Sequence, residues 1–219
     1  MKNKNTKFIS NQDESPDLFE HEWMNRLTRT HIAYPVSIFF IYAVSLLTYT
    51  FQVTNFSVNL VLSLFFGGLF FFTFTEYAVH RWFYHPPEYA GDRWKNISQK
   101  AHGVHHDYPK DKQRLALPPW LTVIVATFVL FLFKAIMSQY AFASCAGFLV
   151  GYALYLLVHY SIHVYKMPSN FLKALWINHS IHHYSEDEIL FGVSSPLWDY
   201  VFQTTPKNSA KGTQVKVSK

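Results

Sequence analysis

Four long apolar runs constrain this chain more than any other feature, because each is long enough to cross a bilayer as a helix. A helix of roughly 18–20 residues spans about 30 Å of hydrocarbon. The runs predict transmembrane helices at about 32–51, 56–79, 120–137 and 140–160. They have almost no polar face for water, which argues against a soluble bundle. We therefore expect an all-α integral membrane protein in which short links join the helices into two antiparallel hairpins.

The basic residues predict how these helices are oriented. Of the 19 Lys and Arg residues, five precede the first apolar run, seven lie between the second and third, and six follow the fourth. None lies between the first and second runs, and the remaining one, Lys134, lies near the end of the third. Because positive charge collects on the cytoplasmic side, we expect both termini there, in a bacterial inner membrane or the endoplasmic reticulum. This distribution explains the net charge of +5 without a nucleic-acid partner.

Polar segments flank a single predicted domain. The predicted division is a polar arm at 1–30, one domain at 31–205 and a disordered tail at 206–219, with a cytoplasmic helical cap from 80–119 and 160–205. The arm has no apolar core typical of a signal peptide, and we expect it to be mobile at its start and amphipathic near Leu18–Leu27. The single cysteine, Cys145, excludes a disulfide framework and a Cys-rich metal site.

Histidine is the most unusual component of the composition. Ten of the 12 histidines fall in four short groups, at or just beyond the ends of the second and fourth apolar runs. These ten are His80 and His85; His102, His105 and His106; His159 and His163; and His179, His182 and His183. The other two, His21 and His31, are isolated, and we assign them no role.

The spacing of the ten histidines is typical of metal ligands on helices. Residues three and four apart share one helix face, as in His102–His106 and in the pair His159 and His163. His80 and His85 are five apart, which requires a turn, a bent helix end or two different metals. Since one ion accepts about four to six ligands, ten imidazoles fit two metal ions. The alternative is a pH-responsive or membrane-surface patch.

The composition of this ligand set narrows the chemistry. It lacks the Cys thiolates of structural zinc sites and the HExxH motif, with its general base, of hydrolytic zinc sites. Imidazole-bound ions at a membrane face suit a redox metal that activates O₂ against a C–H bond of a lipid. The spacing by itself leaves the identity of the metal open.

The order of these motifs resembles that of the fatty acid hydroxylase superfamily, and within it the fatty acid 2-hydroxylases. The pattern HxxxxH, HxxHH, HxxxH, HxxHH is present without a gap. The stretch 102–119, HGVHHDYPKDKQRLALPP, is similar to that subfamily's HGxHHxxPxDxxRLxxPP, and 191–202, FGVSSPLWDYVF, resembles its C-terminal signature. The resemblance covers about residues 30–205.

This resemblance implies a four-helix membrane base and a cytoplasmic cap in which the ten histidines hold two iron ions, which zinc can replace. It implies O₂-dependent hydroxylation at C2 of a long acyl chain, free or in a ceramide or other sphingolipid. The arm is too short for the cytochrome b5 domain that relatives often carry, so we expect no haem in this chain and a separate cytochrome b5-like or ferredoxin-like electron donor. Leu156 follows Tyr155 where the family tends to have Asp, which leaves the exact substrate open.

Several other residues are candidates for supporting roles. Glu76 lies one turn before His80 and would either hydrogen-bond a ligand imidazole or pair with Arg81. Asp107 and Asp187 are candidate partners of ligand imidazoles; the alternative is ordinary solvated charge. The candidates to line an acyl channel are Tyr152, Tyr155 and Trp176, for which simple packing is the alternative.

Two other functions stay open at this point. A hydroxylase of the same superfamily that acts on sterols or carotenoids would use the same metal ligands, although the stretch 109–119 favours the acyl 2-hydroxylase. The other is a non-catalytic membrane zinc-binding protein or transporter. A transporter would place its ligands near mid-bilayer, whereas these are predicted at the helix ends. Arg114 belongs to the stretch 109–119, and its alternative role is that of a cation facing lipid phosphates.

Overall fold

The computed structural model describes residues 8–206, and every regular element in that range is a helix, which confirms the all-α prediction. The α-helices are α1 Glu22–Thr28, α2 Ala33–Val53, α3 Val58–Ala78, α4 Asp92–Ser98, α5 Val104–Asp107, α6 Pro119–Met137, α7 Ala141–Val164, α8 Lys173–Tyr184 and α9 Leu197–Val201. Two π-helical segments, Val79–Tyr84 and Gln99–Gly103, and two 3₁₀ turns, Lys112–Arg114 and Ser138–Tyr140, complete the set. The start of the predicted arm and the predicted tail beyond Pro206 lie outside the described residues.

Three helical stretches are long and apolar enough to cross a membrane, by length and composition. They are Ala33–Val53, Val58–Tyr84 and Lys112–Val164. The third contains both α6 and α7, which are separated at Ser138, where φ is 52°. The rings of Phe133 and Phe148 lie 5.5 Å apart, so α6 and α7 pack against each other as a hairpin. Exposed Phe and Ile side chains cover the outer faces of these helices, as expected of a membrane protein.

Close contact between α3 and α7 sets the position of the functional end of the molecule. A Cβ atom on Gly68 would collide with the carbonyl oxygen of Ser144, and one on Gly147 would collide with the carbonyl oxygen of Phe65. Small residues of this kind let two membrane helices approach until their backbones touch. Since His80 follows α3 and His159 lies near the end of α7, this packing brings their histidines to the same end of the bundle.

The described part of the N-terminal arm lies against the segment that follows α5. The backbone amides of Ile9 and Ser10 donate to the carbonyl oxygen of Asp107, at 2.9 and 3.1 Å. Ser15 donates to the Asp111 carboxylate from both its amide, at 3.0 Å, and its hydroxyl, at 2.6 Å. We call residues 9–19 the N-terminal strap. The composition of the arm alone did not predict this contact, because the buried partner, Asp111, lies almost a hundred residues away.

We predict that the contact between α3 and α7 tolerates no added methyl group at Gly68. Gly68→Ala is expected to destabilise the protein by about 1–3 kcal/mol through overpacking against Ser144. Gly67 is the matched control, because its Cβ would meet nothing within 4 Å, and Gly67→Ala is expected to be neutral or stabilising. Thermal unfolding of the two variants in one detergent measures the difference. Equal stability of the two variants would contradict the packing at Gly68.

Candidate metal centre

The ten clustered histidines converge into two groups of five. Within each group every ring offers one nitrogen, and these nitrogens all lie within 4.8 Å of one another. The first imidazole group consists of His80, His85, His102, His106 and His182, and the second of His105, His159, His163, His179 and His183. All are buried except His85, which is partly exposed. Neither group includes His21 or His31.

The two groups interleave along the chain. In the segment 102–106, His102 and His106 point into the first group, while His105 belongs to the second. In the segment 179–183 the pairing is reversed, because His179 and His183 belong to the second group and His182 to the first. Each HxxHH motif thus contributes its i, i+4 pair to one group and its middle histidine to the other. The rings of His106 and His183 stack at 4.1 Å, so the groups share a wall.

A π-helical turn resolves the five-residue spacing of His80 and His85. The segment Val79–Tyr84 continues α3 with i to i+5 hydrogen bonding, and His85 caps its end. Both rings therefore reach the first imidazole group, with centroids 5.2 Å apart. The second π-helical segment, Gln99–Gly103, carries His102 into the same group. Such segments are frequent at functional sites.

The Nε2 atoms within each group lie close enough together to bind one metal ion. The Nε2 atom of His102 lies 3.0 Å from that of His80 and 2.9 Å from that of His106. In the second group, the Nε2 atom of His163 lies 3.2 Å from that of His159 and 2.9 Å from that of His179. Two ligands about 2.1 Å from an ion would be roughly 3.0 Å apart at 90° and roughly 3.4 Å apart in a tetrahedron. The separations therefore lie in the range expected of imidazoles that bind a common ion.

Two backbone carbonyls orient rings of the first group. The Nδ1 of His80 donates to the carbonyl oxygen of Phe191 at 2.6 Å, and the Nδ1 of His182 donates to that of Ile189 at 2.7 Å. These hydrogen bonds fix the tautomer and leave Nε2 as the free lone pair. Among the described residues, the Nε2 atom of His182 is buried without a hydrogen-bond partner, as a metal-facing nitrogen would be.

Two buried carboxylates hold the segment that carries these carbonyls, residues 189–195, which we call the clamp loop. Asp199 accepts from the amides of Phe191, at 2.8 Å, and Gly192, at 2.9 Å. Glu76 accepts from the amides of Val193, at 2.7 Å, and Ser194, at 2.8 Å. Glu76 was expected to contact a ligand imidazole or Arg81; its hydrogen bonds are instead to the clamp loop. It acts on His80 through that loop.

Burial keeps the imidazoles neutral. It lowers the pKa of His182 to about 3 and that of His85 to about 4, with the negative charge of Asp187 opposing the shift at both. Burial, reinforced by the neighbouring histidines, holds the pKa values of His106 and His183 well below the ordinary value. Neutral imidazole is the form that binds metals, so these rings are ready to bind at neutral pH.

The other predicted residues take different positions. Asp187 lines a crevice together with His85, and Asp107 accepts a hydrogen bond from Gln99 at 2.9 Å. Tyr155 stacks on His159, with ring centroids 5.6 Å apart. Trp176 donates to the carbonyl oxygen of Tyr165 and packs beside Leu175, away from the cavities described below.

Three cavities reach the imidazole groups. An inner cavity of about 70 Å³ is lined by His102, His105 and His159, and also by Tyr152 and Tyr155, and so touches both groups. An apolar cavity of about 310 Å³ shares His105 with it and extends to the start of α6 at Trp120 and Leu121. An outer crevice of about 1080 Å³ carries charged residues beside His85.

Sequence reasoning missed Asp199 and Tyr84. Asp199 lies within the stretch 191–202, and the resemblance of that stretch to a family signature does not single out any one residue. Tyr84 lines all three cavities and stacks on His102 with a centroid distance of 4.6 Å. In the sequence, Tyr84 is marked by its position between two predicted ligands, His80 and His85.

Comparisons with known proteins agree with this geometry. The sequence model described as fatty acid hydroxylase matches residues 65–204. Among curated proteins, the ceramide very long chain fatty acid hydroxylase scs7 of Schizosaccharomyces pombe is 35% identical over 69% of this chain and 44% of its own length. The fatty acid 2-hydroxylase of Mus musculus is 33% identical over 67% and 40%, respectively. The dihydroceramide fatty acyl 2-hydroxylase FAH1 of Arabidopsis thaliana is 35% identical over 65% and 60%.

A solved structure is also similar. It is that of full-length scs7p, in which only the hydroxylase domain is visible. The TM-score is 0.78 at 30% sequence identity, over 90% of this chain and 73% of that one. The match to the curated relatives thus spans roughly two fifths to three fifths of their length.

We predict that Asp199 supports metal binding without touching the metal. Asp199→Asn replaces an acceptor of backbone amides by a group that also donates, which loosens the clamp loop and its hold on His80 and His182. Loss of such support typically weakens metal affinity about 10–100-fold. Metal content after equilibration with a graded series of chelator concentrations measures the effect. The exposed Asp92→Asn is the control, and equal metal retention in both variants would contradict the role of Asp199.

Proposed function

Because this chain belongs to the fatty acid hydroxylase family, we propose that it is a membrane monooxygenase that hydroxylates C2 of a long acyl chain. The acyl chain would be that of a free fatty acid or of a ceramide, as the names of the relatives indicate for those proteins. The observation that supports this proposal most strongly is the pair of buried five-imidazole groups that share one wall. A fold shared with the hydroxylase domain of scs7p adds to it.

We further propose the topology in which α2, α3, α6 and α7 are four transmembrane helices. α6 and α7 contain 19 and 24 residues, enough for each to cross about 30 Å of hydrocarbon. Both imidazole groups then lie at the cytoplasmic end, in a cap formed by the segments 80–119 and 160–205. This arrangement places both termini and 18 of the 19 basic residues on the cytoplasmic side.

The ten histidines would hold two iron ions, which zinc can replace at nitrogen sites. When bound, the two ions would activate O₂ so that an oxygen atom can be inserted into a C–H bond of the acyl chain. The overall reaction consumes one O₂, two electrons, two protons and one C–H bond, and it yields a C–OH group and water. The protein contributes neutral nitrogen ligands in a buried site, and the clamp loop orients two of them, His80 and His182.

The cavities suggest how the reactants reach the site. The apolar cavity opens beside Trp120 and Leu121 at the start of α6, so an acyl chain would enter from the bilayer without crossing water. In the inner cavity, Tyr152 and Tyr155 would pack against the part of the chain nearest His159. The two electrons would come from a cytochrome b5-like or ferredoxin-like donor that approaches the outer crevice, where His85 is partly exposed.

We predict that removing one ligand from the first imidazole group affects the metal ion of that group and not the ion of the second. His106→Ala is expected to lose the first ion selectively and to lower hydroxylation by at least the 10–100-fold that loss of a supporting group costs. The measurements are the metal content of the purified protein and mass spectrometry of lipids from expressing cells, in which hydroxylation adds one oxygen atom. His21→Ala is the control, because His21 is exposed and outside both groups.

The outcomes of this experiment discriminate among the functions. Hydroxylated acyl chains that disappear in His106→Ala support the proposal, and hydroxylated sterols or carotenoids would replace it with the related activity. Bound metal without any hydroxylated lipid would indicate a non-catalytic zinc-binding protein. Full hydroxylation by His106→Ala would contradict the assignment of His106 as a ligand.

A further inference from the structure

Arg114 places a buried guanidinium between the apolar cavity and the inner cavity. Its side chain is only 6% exposed, and Arg114 lines both cavities together with His105. A cation that faced lipid phosphates would be exposed, so this position does not fit the alternative role that the sequence left open. Burying a guanidinium is costly unless its donors are paired.

Part of this side chain is free to bind a ligand. The Nη2 atom donates to the carbonyl oxygen of Pro16 in the N-terminal strap, at 3.2 Å. Nε lies 3.7 Å from the carboxylate of Asp111, too far for a hydrogen bond. Among the described residues, neither Nε nor Nη1 has a hydrogen-bond partner, although both are buried.

Asp111 is too heavily engaged to supply the missing contacts. Its Oδ2 atom accepts from the amide and hydroxyl of Ser15, at 3.0 and 2.6 Å, and its Oδ1 accepts from the amide of Gln113 at 3.0 Å. The strap and Asp111 therefore hold the guanidinium in place without using all of its donors. A guanidinium fixed in this way is organised in advance for an oxygen ligand, ideally a bidentate one.

The surroundings specify the rest of the ligand. The wall of the apolar cavity includes Ile97, Val104 and Leu117, which suit a hydrocarbon chain. The inner cavity next to Arg114 leads to His102 and His159, one from each imidazole group. A ligand that satisfies both cavities has an apolar chain and an oxygen-bearing group near the imidazoles.

We propose that Arg114 binds the oxygen on C1 of the acyl substrate and thereby holds C2 at the two imidazole groups. The ligand oxygen is that of a carboxylate in a free fatty acid or of the amide carbonyl in a ceramide. The identification of the ligand as an acyl group rests on the proposed function. This role accounts for the two unpaired donors, since C1 and C2 are directly bonded and an anchor on C1 limits the positions of C2.

Lys100 is the other cation of the apolar cavity and provides the matched control. It is exposed, and its ammonium lies 4.8 Å from the ring centroid of Phe19. Its contact with that ring keeps it on the exposed side of the cavity wall. A nonspecific effect of positive charge on fatty acid binding would involve Lys100 at least as much as Arg114.

The test measures binding by the purified full chain in detergent, without turnover. Displacement of a fluorescent fatty acid is measured with a long-chain fatty acid, its N-methyl amide and the alkane of the same length. The wild type is expected to bind the acid at least tenfold more tightly than the alkane. Arg114→Gln is expected to weaken acid binding about 10–100-fold and to leave alkane binding unchanged, because a hydrogen-bonded charge is lost. Arg114→Lys, which keeps the charge but loses the fork, is expected to fall between the two.

The pattern across ligands decides the outcome. Weakened binding of the acid alone, or of acid and amide together, supports the proposal and identifies the carboxylate or the C1 carbonyl as the shared ligand. Equal weakening of acid, amide and alkane would overturn it in favour of a structural role through Pro16, and so would a Lys100→Gln variant that loses acid binding to the same extent. If Arg114→Gln does not fold, the absence of any preference for acid over alkane in the wild type overturns the proposal. Binding requires no hydroxylation, so a protein that binds as expected but hydroxylates no lipid would refute the proposed function alone.

Discussion

The structure depends on packing ten imidazoles against one another while all of them stay neutral. A charged ring among so many others would face both loss of hydration and repulsion, and the pKa values of His106 and His183 are held low for these two reasons. The lone pairs of neutral rings that converge on one point repel one another unless a cation lies between them. The separations of 2.9–3.2 Å between Nε2 atoms are short enough for these rings to share an ion, and a bound ion would offset the cost of burying them.

The sequence predicts the members of this site well, because their spacing is local. An i, i+4 pair such as His159 and His163 must share a helix face, and both do reach the second imidazole group. The division of the HxxHH motifs between the two groups was not predictable in the same way. His105 and His182 belong to a different group from their neighbours, and the group that each joins depends on which distant histidines lie opposite it. That arrangement is a property of the tertiary structure.

In the fold, too, features set by the local sequence are predictable, and contacts between separate segments are not. Apolar length and the short link at Ser138–Tyr140 are readable in the chain, and they predict the long helices. The strap contact with Asp111 and the clamp loop held by Glu76 and Asp199 are not readable, because each joins segments with no shared periodicity. Their common physical cause is a buried carboxylate that needs several donors. Backbone amides supply them, from distant segments at Asp111 and Glu76 and from eight residues away at Asp199.

The contacts of the clamp loop and of the strap give the site two sides with different chemistry. On one side, the clamp loop orients His80 and His182 of the first imidazole group beside the charged outer crevice. On the other, the strap holds Arg114 beside the apolar cavity. The proposed hydroxylase would have to admit a hydrocarbon and electrons at one centre while keeping water away from the hydrocarbon. The apolar cavity lies on the side of the strap and the charged outer crevice on the side of the clamp loop, so the hydrocarbon and the electrons of the proposed reaction would have separate routes. The same design explains why the ligand motifs alone are insufficient to define the site.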